Sequence, residues 1–120
     1  MKGLSLWQRF CFALDGVVHT ACCERSFQTQ LFAAFLVFLV IGWLHPPLLW
    51  VALLVAMVVL VLSLELFNTA LESLADGLHP ERAEFVRKAK DCAAGAVLLL
   101  SVGAVLVFAL MLCDLGLVTY

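Results

Sequence analysis

The sequence predicts an all-α membrane protein with three transmembrane helices and one N-terminal amphipathic helix. The first observation is composition: 65% of the 120 residues are apolar and 13% are charged, which is too hydrophobic for an ordinary soluble domain. The second is that three apolar segments, residues 31–44, 48–64 and 92–113, reach or approach the roughly 17–25 residues that a spanning helix needs. No repeat or linker divides the chain, so we expect residues 1–120 to form one domain.

The amphipathic helix is predicted over residues 4–22. Apolar residues recur there with the i, i+3, i+4, i+7 spacing of one helix face, at Trp7, Phe10, Cys11, Leu14, Val17 and Val18. The pattern fits a helix that lies in the cytoplasmic membrane interface, and it equally fits a helix that packs on the bundle. The sequence leaves both arrangements open.

The three spans are predicted at residues 27–45, 48–76 and 88–114. Pro46 and Pro47 end the first span and permit a tight reversal, because proline cannot continue a helix. Gly77 has the position of a residue that stops the second helix, and Pro80 follows it. After a short polar loop, a new helix is expected to begin around Glu84 and to continue into the third span.

The placement of the basic residues predicts the orientation in the membrane. They occur only before the first span and between the second and third spans, as Lys2, Arg9, Arg25, Arg82, Arg87, Lys88 and Lys90. By the positive-inside rule, the N-terminus and the second loop lie in the cytoplasm. The turn at His45 and the C-terminal Tyr120 then lie on the outer, periplasmic side.

A polar stripe interrupts the apolar second helix. Its members, Glu65, Asn68, Glu72 and Asp76, have the spacing i, i+3, i+7, i+11. At about 100° per residue the three carboxylates fall within roughly 40° of one another, and the asparagine lies about 60° from the first. Carboxylates near lipid are costly and, when close together, repel one another unless a cation lies between them. The stripe therefore indicates a divalent metal site, a proton site, or both.

The stripe is expected to face polar residues of the other two spans. The short second loop makes the second and third helices antiparallel neighbours, which places Lys90 and Asp91 opposite the stripe, and Glu24 enters at the same membrane level. Carboxylates with a lysine suit Mg²⁺–nucleotide chemistry, because Mg²⁺ prefers oxygen ligands and lysine binds phosphate. The competing interpretation is that Lys90 and Asp91 form an ordinary ion pair at the membrane boundary.

Other signals exclude several classes of protein and partner. Neither a nucleotide-binding P-loop nor a protein-kinase signature occurs in the chain. The cysteines, Cys11, Cys22, Cys23, Cys92 and Cys113, show no C-x-x-C spacing, so we expect small hydrophobic side chains without disulfide partners. No nucleic-acid partner is expected.

Two stretches resemble motifs of the small bacterial diacylglycerol kinase and undecaprenol kinase family. Residues 65–76 read ELFNTALESLAD and resemble E-x-x-N-[ST]-A-[IL]-E-x-x-x-D. Residues 89–97 read AKDCAAGAV and are similar to A-K-D-x-A-x-[AG]-A-V. Residues 24–27, ERSF, resemble the family's E-R-[NS]-F, so that the resemblance extends over nearly the whole chain.

The resemblance implies a homotrimeric lipid kinase of the bacterial cytoplasmic membrane, with composite sites between protomers. Such an enzyme transfers the γ-phosphate of ATP to the hydroxyl of diacylglycerol or undecaprenol and uses Mg²⁺. By motif, Glu65 matches the catalytic base and Glu24 and Glu72 match metal ligands. The nucleotide-binding positions are Asn68, Asp76, Lys90 and Asp91. Contacts with the lipid substrate are assigned to Phe27, Gln28 and Ala94.

The alternative from another functional class is a small oligomeric proton- or cation-coupled transporter. In that case the carboxylate stripe would be part of an ion path, as acids inside membranes often are. An ion path needs polar residues through the middle and outer half of the membrane, and this chain has almost none there beyond Ser101. The distribution of acids therefore favours the kinase.

Overall fold

The chain forms four helices in the computed structural model, which describes residues 2–118. They are α1 (Leu6–Cys23), α2 (Arg25–Leu44), α3 (Leu48–Leu78) and α4 (Glu84–Asp114). The last three are long and apolar enough to cross a membrane. The prediction of an all-α protein with three helices long and apolar enough to span a membrane is therefore confirmed. Tyr120, which was predicted to lie on the outer side, falls outside the described residues.

The corner between α1 and α2 is held by side-chain hydrogen bonds. Ser5 caps α1 and forms a capping box with Gln8. Glu24 alone separates α1 from α2 and has an extended backbone. The amide Nε2 of Gln28 donates to the carbonyls of Ala21 and Cys22, at 3.0 and 3.2 Å, and so satisfies free carbonyls of the last turn of α1. The corner therefore has a defined geometry on both sides of Glu24.

The reversal between α2 and α3 takes three residues. His45 adopts a left-handed conformation, with φ of 49°, and its N–H donates to the carbonyl of Ile41. A left-handed residue is a common way to end a helix, and histidine tolerates it better than β-branched residues do. Pro47 then precedes the first residue of α3. The two prolines thus act as predicted.

The antiparallel pair α3 and α4 is the main packing unit of the chain. Trp50 Nε1 donates to Asp114 Oδ2 at 2.8 Å near one end of the pair. Lys90 Nζ donates to Asp76 Oδ1 at 2.6 Å near the other end. Between them, Gly103 lies against the Met57 side chain, since an added Cβ would be 3.5 Å from Met57 Cε. The register between the two helices is therefore fixed at both ends and in the middle.

The helices differ from their predicted bounds mainly on the side of the second loop. The helix α3 continues through Gly77 to Leu78, and the His79 N–H bonds to the Ala75 carbonyl, so the prediction that Gly77 stops the helix was wrong. Within α3 the glycine keeps an ordinary helical conformation. The helix α4 begins at Glu84, as expected. Each of these helices has 31 residues, about 46 Å, which exceeds a hydrocarbon core of about 30 Å.

Candidate functional site

The polar stripe on α3 passes from buried to exposed along the helix. Glu65 is 5% exposed, Asn68 and Glu72 are half-buried, and Asp76 is exposed. A hydrocarbon core of about 30 Å that began at Leu48, the start of α3, would end near residue 67. On that count, the buried carboxylate would lie near the edge of the core, and the rest of the stripe would lie on the part of α3 that projects beyond it.

The middle of the stripe contains an unsatisfied oxygen. Asn68 Nδ2 donates to Glu72 Oε1 at 3.2 Å, one turn further along the helix. The other end of the amide, Asn68 Oδ1, is buried and has no hydrogen-bond partner within residues 2–118. A buried carbonyl oxygen without a donor is costly, and a hard cation is one kind of partner for it. Asn68 and Glu72 therefore carry oxygen atoms of the type that Mg²⁺ prefers as ligands.

The expected contact between the stripe and α4 is made by Lys90. Its ammonium group lies 2.6 Å from an Asp76 carboxylate oxygen. Asp91 instead pairs with Arg87, at 2.9 Å, on the exposed side of α4, and Arg87 also pairs with Glu84. Of the two predicted α4 residues, Lys90 alone therefore has an ion pair with the stripe in this structure.

Glu24 and the predicted lipid contacts lie around the α1–α2 corner and on α4. Glu24 is half-buried, and its side chain makes no capping bond. Phe27 is buried, at 2% exposure, and the amide of Gln28 is engaged with α1 carbonyls. Ala94 is exposed on α4. These positions leave the assignment of lipid contacts as a prediction.

The single chain does not gather the acidic residues around one point. Among residues 2–118, no group of three or more His, Cys, Asp or Glu side chains is close enough to hold a metal ion. The chain provides the pairs Asn68–Glu72 and Lys90–Asp76, with Glu65 buried nearby. Completing a multi-carboxylate site around these pairs requires oxygen atoms from elsewhere, such as a neighbouring copy or the substrate.

A second feature, which the sequence did not predict, is a cavity at the loop between α3 and α4. This loop cavity has a volume of about 510 Å³. Its charged lining consists of three basic residues and three acidic ones: Arg82, Arg87, Lys90, Asp76, Glu81 and Glu84. Lys90 and Arg87 are paired with acidic residues, so Arg82 is the basic residue of the lining that has no ion pair within residues 2–118. Arg82 belongs to no recognisable motif, and the fold of the loop brings it near the end of the stripe.

A third feature is an apolar cavity between α2, α3 and α4, with a volume of about 240 Å³. This membrane cavity is lined mostly by alanine and valine side chains, and Phe108 lies among them. Two polar residues also line it, Gln30 and Ser101, and they are hydrogen-bonded to each other at 3.2 Å.

Comparison with known proteins gives a consistent result. Residues 11–112 match the family described as prokaryotic diacylglycerol kinase. The chain is 40% identical over 99 residues to a diacylglycerol kinase of Synechocystis, a match that covers 82% of this chain and 57% of that protein. It is 34% identical over 119 residues to an undecaprenol kinase of Bacillus subtilis, covering 95% of this chain and 86% of that protein.

A third relative also matches most of this chain. The diacylglycerol kinase of Escherichia coli K12 is 30% identical over 89 residues, which are 74% of this chain and 73% of that protein. The kinase family predicted from the motifs at residues 65–76 and 89–97 is therefore confirmed, and the chain belongs to the prokaryotic diacylglycerol kinase family.

Proposed function

We propose that this protein is an integral-membrane lipid kinase that transfers the γ-phosphate of Mg-ATP to the hydroxyl group of a membrane lipid. The acceptor is diacylglycerol, giving phosphatidic acid, or undecaprenol, giving undecaprenyl phosphate. The observation that carries the proposal is the polar stripe on α3, whose buried carboxylate lies near the edge of the hydrocarbon core. A lipid hydroxyl occupies the same depth, so acceptor and carboxylate meet without the lipid leaving the bilayer.

Each residue of the site has a chemical role that follows from its position. Glu65 accepts the proton of the lipid hydroxyl, and the hydroxyl oxygen forms a new bond to the γ-phosphorus. The bond from that phosphorus to the bridging oxygen of ADP breaks, so ADP leaves with the electron pair. Lys90 lies beside Asp76 at the mouth of the loop cavity, where an ammonium group neutralises charge that develops on the phosphates.

The metal-binding proposal rests on the oxygen atoms of the stripe. Glu24 and Glu72 would hold the ion, and Asn68 Oδ1, which has no hydrogen-bond partner within residues 2–118, is a further oxygen of the stripe. When bound, Mg²⁺ would neutralise the phosphate oxygens and favour attack at the γ-phosphorus. The nucleotide is proposed to bind at this end of the stripe, where Asp76 and Lys90 line the loop cavity, with Asn68 and Asp91 as further contacts.

The active form is proposed to be a homotrimer in the bacterial cytoplasmic membrane. Because one chain leaves the acidic residues dispersed within residues 2–118, a neighbouring copy is a natural source of the missing ligands. The basic residues of the N-terminus and second loop support a cytoplasmic location for the site, which gives it access to ATP. The helix α1 exposes large apolar side chains such as Trp7 and Phe10, which supports a location in the membrane interface.

The test is phosphate transfer by the purified protein in lipid micelles. Protein, Mg²⁺ and γ-labelled ATP are incubated with diacylglycerol, undecaprenol and a lipid without a free hydroxyl, and label in the lipid fraction is measured. We expect label in at least one hydroxyl lipid and none in the third lipid. Absence of labelled lipid, together with ion flux in liposomes that needs no ATP, would identify the transporter instead.

A further inference from the structure

The hydrogen bond between Gln30 and Ser101 is a polar bridge across an apolar gap. Gln30 Nε2 on α2 donates to Ser101 Oγ on α4 at 3.2 Å. Within residues 2–118, no Cα atom of α2 comes within 8 Å of a Cα atom of α4, and the membrane cavity lies between the two helices. Polar side chains within the membrane usually form hydrogen bonds with other protein groups, because hydrocarbon has no donors or acceptors.

The bridge lies at the depth of the proposed base. Lys90 and Asp76 face each other across the α3–α4 pair, and Ser101 and Glu65 are each eleven residues further into the membrane from them. Equal steps along antiparallel helices end at the same depth. The bridge and the buried carboxylate therefore form one polar layer, which marks the inner end of the membrane cavity.

Gln30 also faces the side of α3 that carries the carboxylate. Val61 and Leu62 line the membrane cavity together with Gln30, and Glu65 lies one turn further along the same face of α3. An amide nitrogen has two hydrogens, so one can be held by Ser101 and the other offered to the carboxylate. Such an anchored donor fixes the orientation of a buried acid, as supporting hydrogen bonds do for catalytic groups in general.

We propose that Gln30, anchored by Ser101, is a positioning residue that orients Glu65 toward the lipid hydroxyl. The inference rests on the proposed function, since it assigns a role within the same site. Ser101 acts through Gln30 and touches neither substrate. The bridge thus explains why α4 carries a lone hydroxyl at the depth of Glu65.

The first experiment compares Ser101→Ala with Ser101→Thr in the lipid phosphorylation assay. Loss of the hydroxyl should lower kcat about tenfold, the lower end of what supporting residues contribute, and leave KM for ATP unchanged. Threonine keeps the hydroxyl, and the membrane cavity beside it has room for one methyl group. This variant should therefore stay within about twofold of the parent, by the same reasoning.

The second experiment removes the donor itself. Gln30→Leu keeps the size of the side chain but loses the amide, and it should lower kcat about tenfold to a hundredfold. The matched control is Thr29→Val, because within the described part of the chain the exposed Thr29 hydroxyl bonds only to the Arg25 carbonyl of its own helix. The control should keep the parent's kcat. Equal losses in Ser101→Ala and Ser101→Thr, or a parent-like kcat in Gln30→Leu, would overturn the proposal.

A double-mutant cycle on stability tests the bridge without any enzyme assay. Unfolding in micelles is measured for Gln30→Leu, Ser101→Ala and the double variant. If the bridge exists, the effect of the double variant on unfolding should differ from the summed effects of the two single variants. The expected difference is roughly threefold in the unfolding equilibrium constant, the average value for a hydrogen bond between membrane helices. Strict additivity would refute the bridge. A parent protein that labels no lipid would refute the proposed function instead, so the two failures are distinguishable.

Discussion

Replacing Lys90 by methionine separates a functional lysine from an ordinary boundary ion pair. The substitution keeps the length of the side chain and removes its charge. Lys90 lies 2.6 Å from Asp76, but the side chains are 35% and 66% exposed respectively. An ion pair this exposed contributes at most about 1 kcal/mol to stability, because water screens the charges. Unfolding of Lys90→Met should therefore be shifted only slightly.

The expected effect on catalysis is much larger. A cationic group placed where charge develops in the transition state contributes about 100-fold to 1000-fold in kcat, or roughly 3–4 kcal/mol. If Lys90 has this role, kcat should fall by about 100-fold or more while the free energy of unfolding changes by about 1 kcal/mol or less. Replacing a residue that only marks the membrane boundary would not cause a large loss of kcat together with a small change in the free energy of unfolding.

The assay measures initial rates of lipid phosphorylation at saturating Mg-ATP, together with thermal unfolding in the same micelles. Lys88→Met is the matched control, since Lys88 is exposed two residues earlier on α4. We expect the control to keep kcat within about twofold, because an exposed charge away from the site is weakly coupled to it. If Lys90→Met loses no more activity than Lys88→Met, the functional role is wrong and the boundary interpretation is right.

Three further predictions address the base, the metal and the packing. Glu65→Gln should lower kcat by about 100-fold or more with little change in KM for ATP, since it removes the proton acceptor alone, and full activity would refute the assignment. Glu72→Ala should raise the Mg²⁺ concentration needed for half-maximal rate, whereas an unchanged requirement counts against a metal role. Met111→Ala should lower the free energy of unfolding by about 2–5 kcal/mol, because Met111 is 0% exposed, while the neighbouring exposed Leu110→Ala should change it much less. Similar losses in both would show that this part of α4 is not a packed core.

The local features of this structure could be predicted from the sequence. Hydrophobic length defined three spans, and the proline pair placed the reversal after α2. Helical periodicity put Asn68 within reach of Glu72, where the structure has a hydrogen bond. The short second loop made α3 and α4 antiparallel, which brought Lys90 to the stripe. Each of these inferences depends on spacing within one helix or on one short connection.

The contacts between helices that the sequence did not predict depend on helix register and on the choice of side-chain partner. Neither can be read from residue spacing. The bridge from Gln30 to Ser101 joins residues 71 positions apart across a gap between helices. Gln28 donates to carbonyls of α1, and no pattern in the sequence distinguishes this role from contact with lipid. Arg82 lines the loop cavity together with residues of α3 and α4, and this placement depends on the conformation of the loop.

The central claim is that neighbouring copies complete one site, and subunit mixing tests it most directly. Chains carrying Glu65→Gln and chains carrying Glu24→Ala are co-expressed with different tags, and mixed oligomers are isolated by both tags. If the two residues serve a shared site from different chains, each mixed trimer has one interface that joins an intact Glu65 to an intact Glu24, so mixed trimers should regain activity at about one third of their sites. Mixed oligomers as inactive as either variant alone would contradict the account.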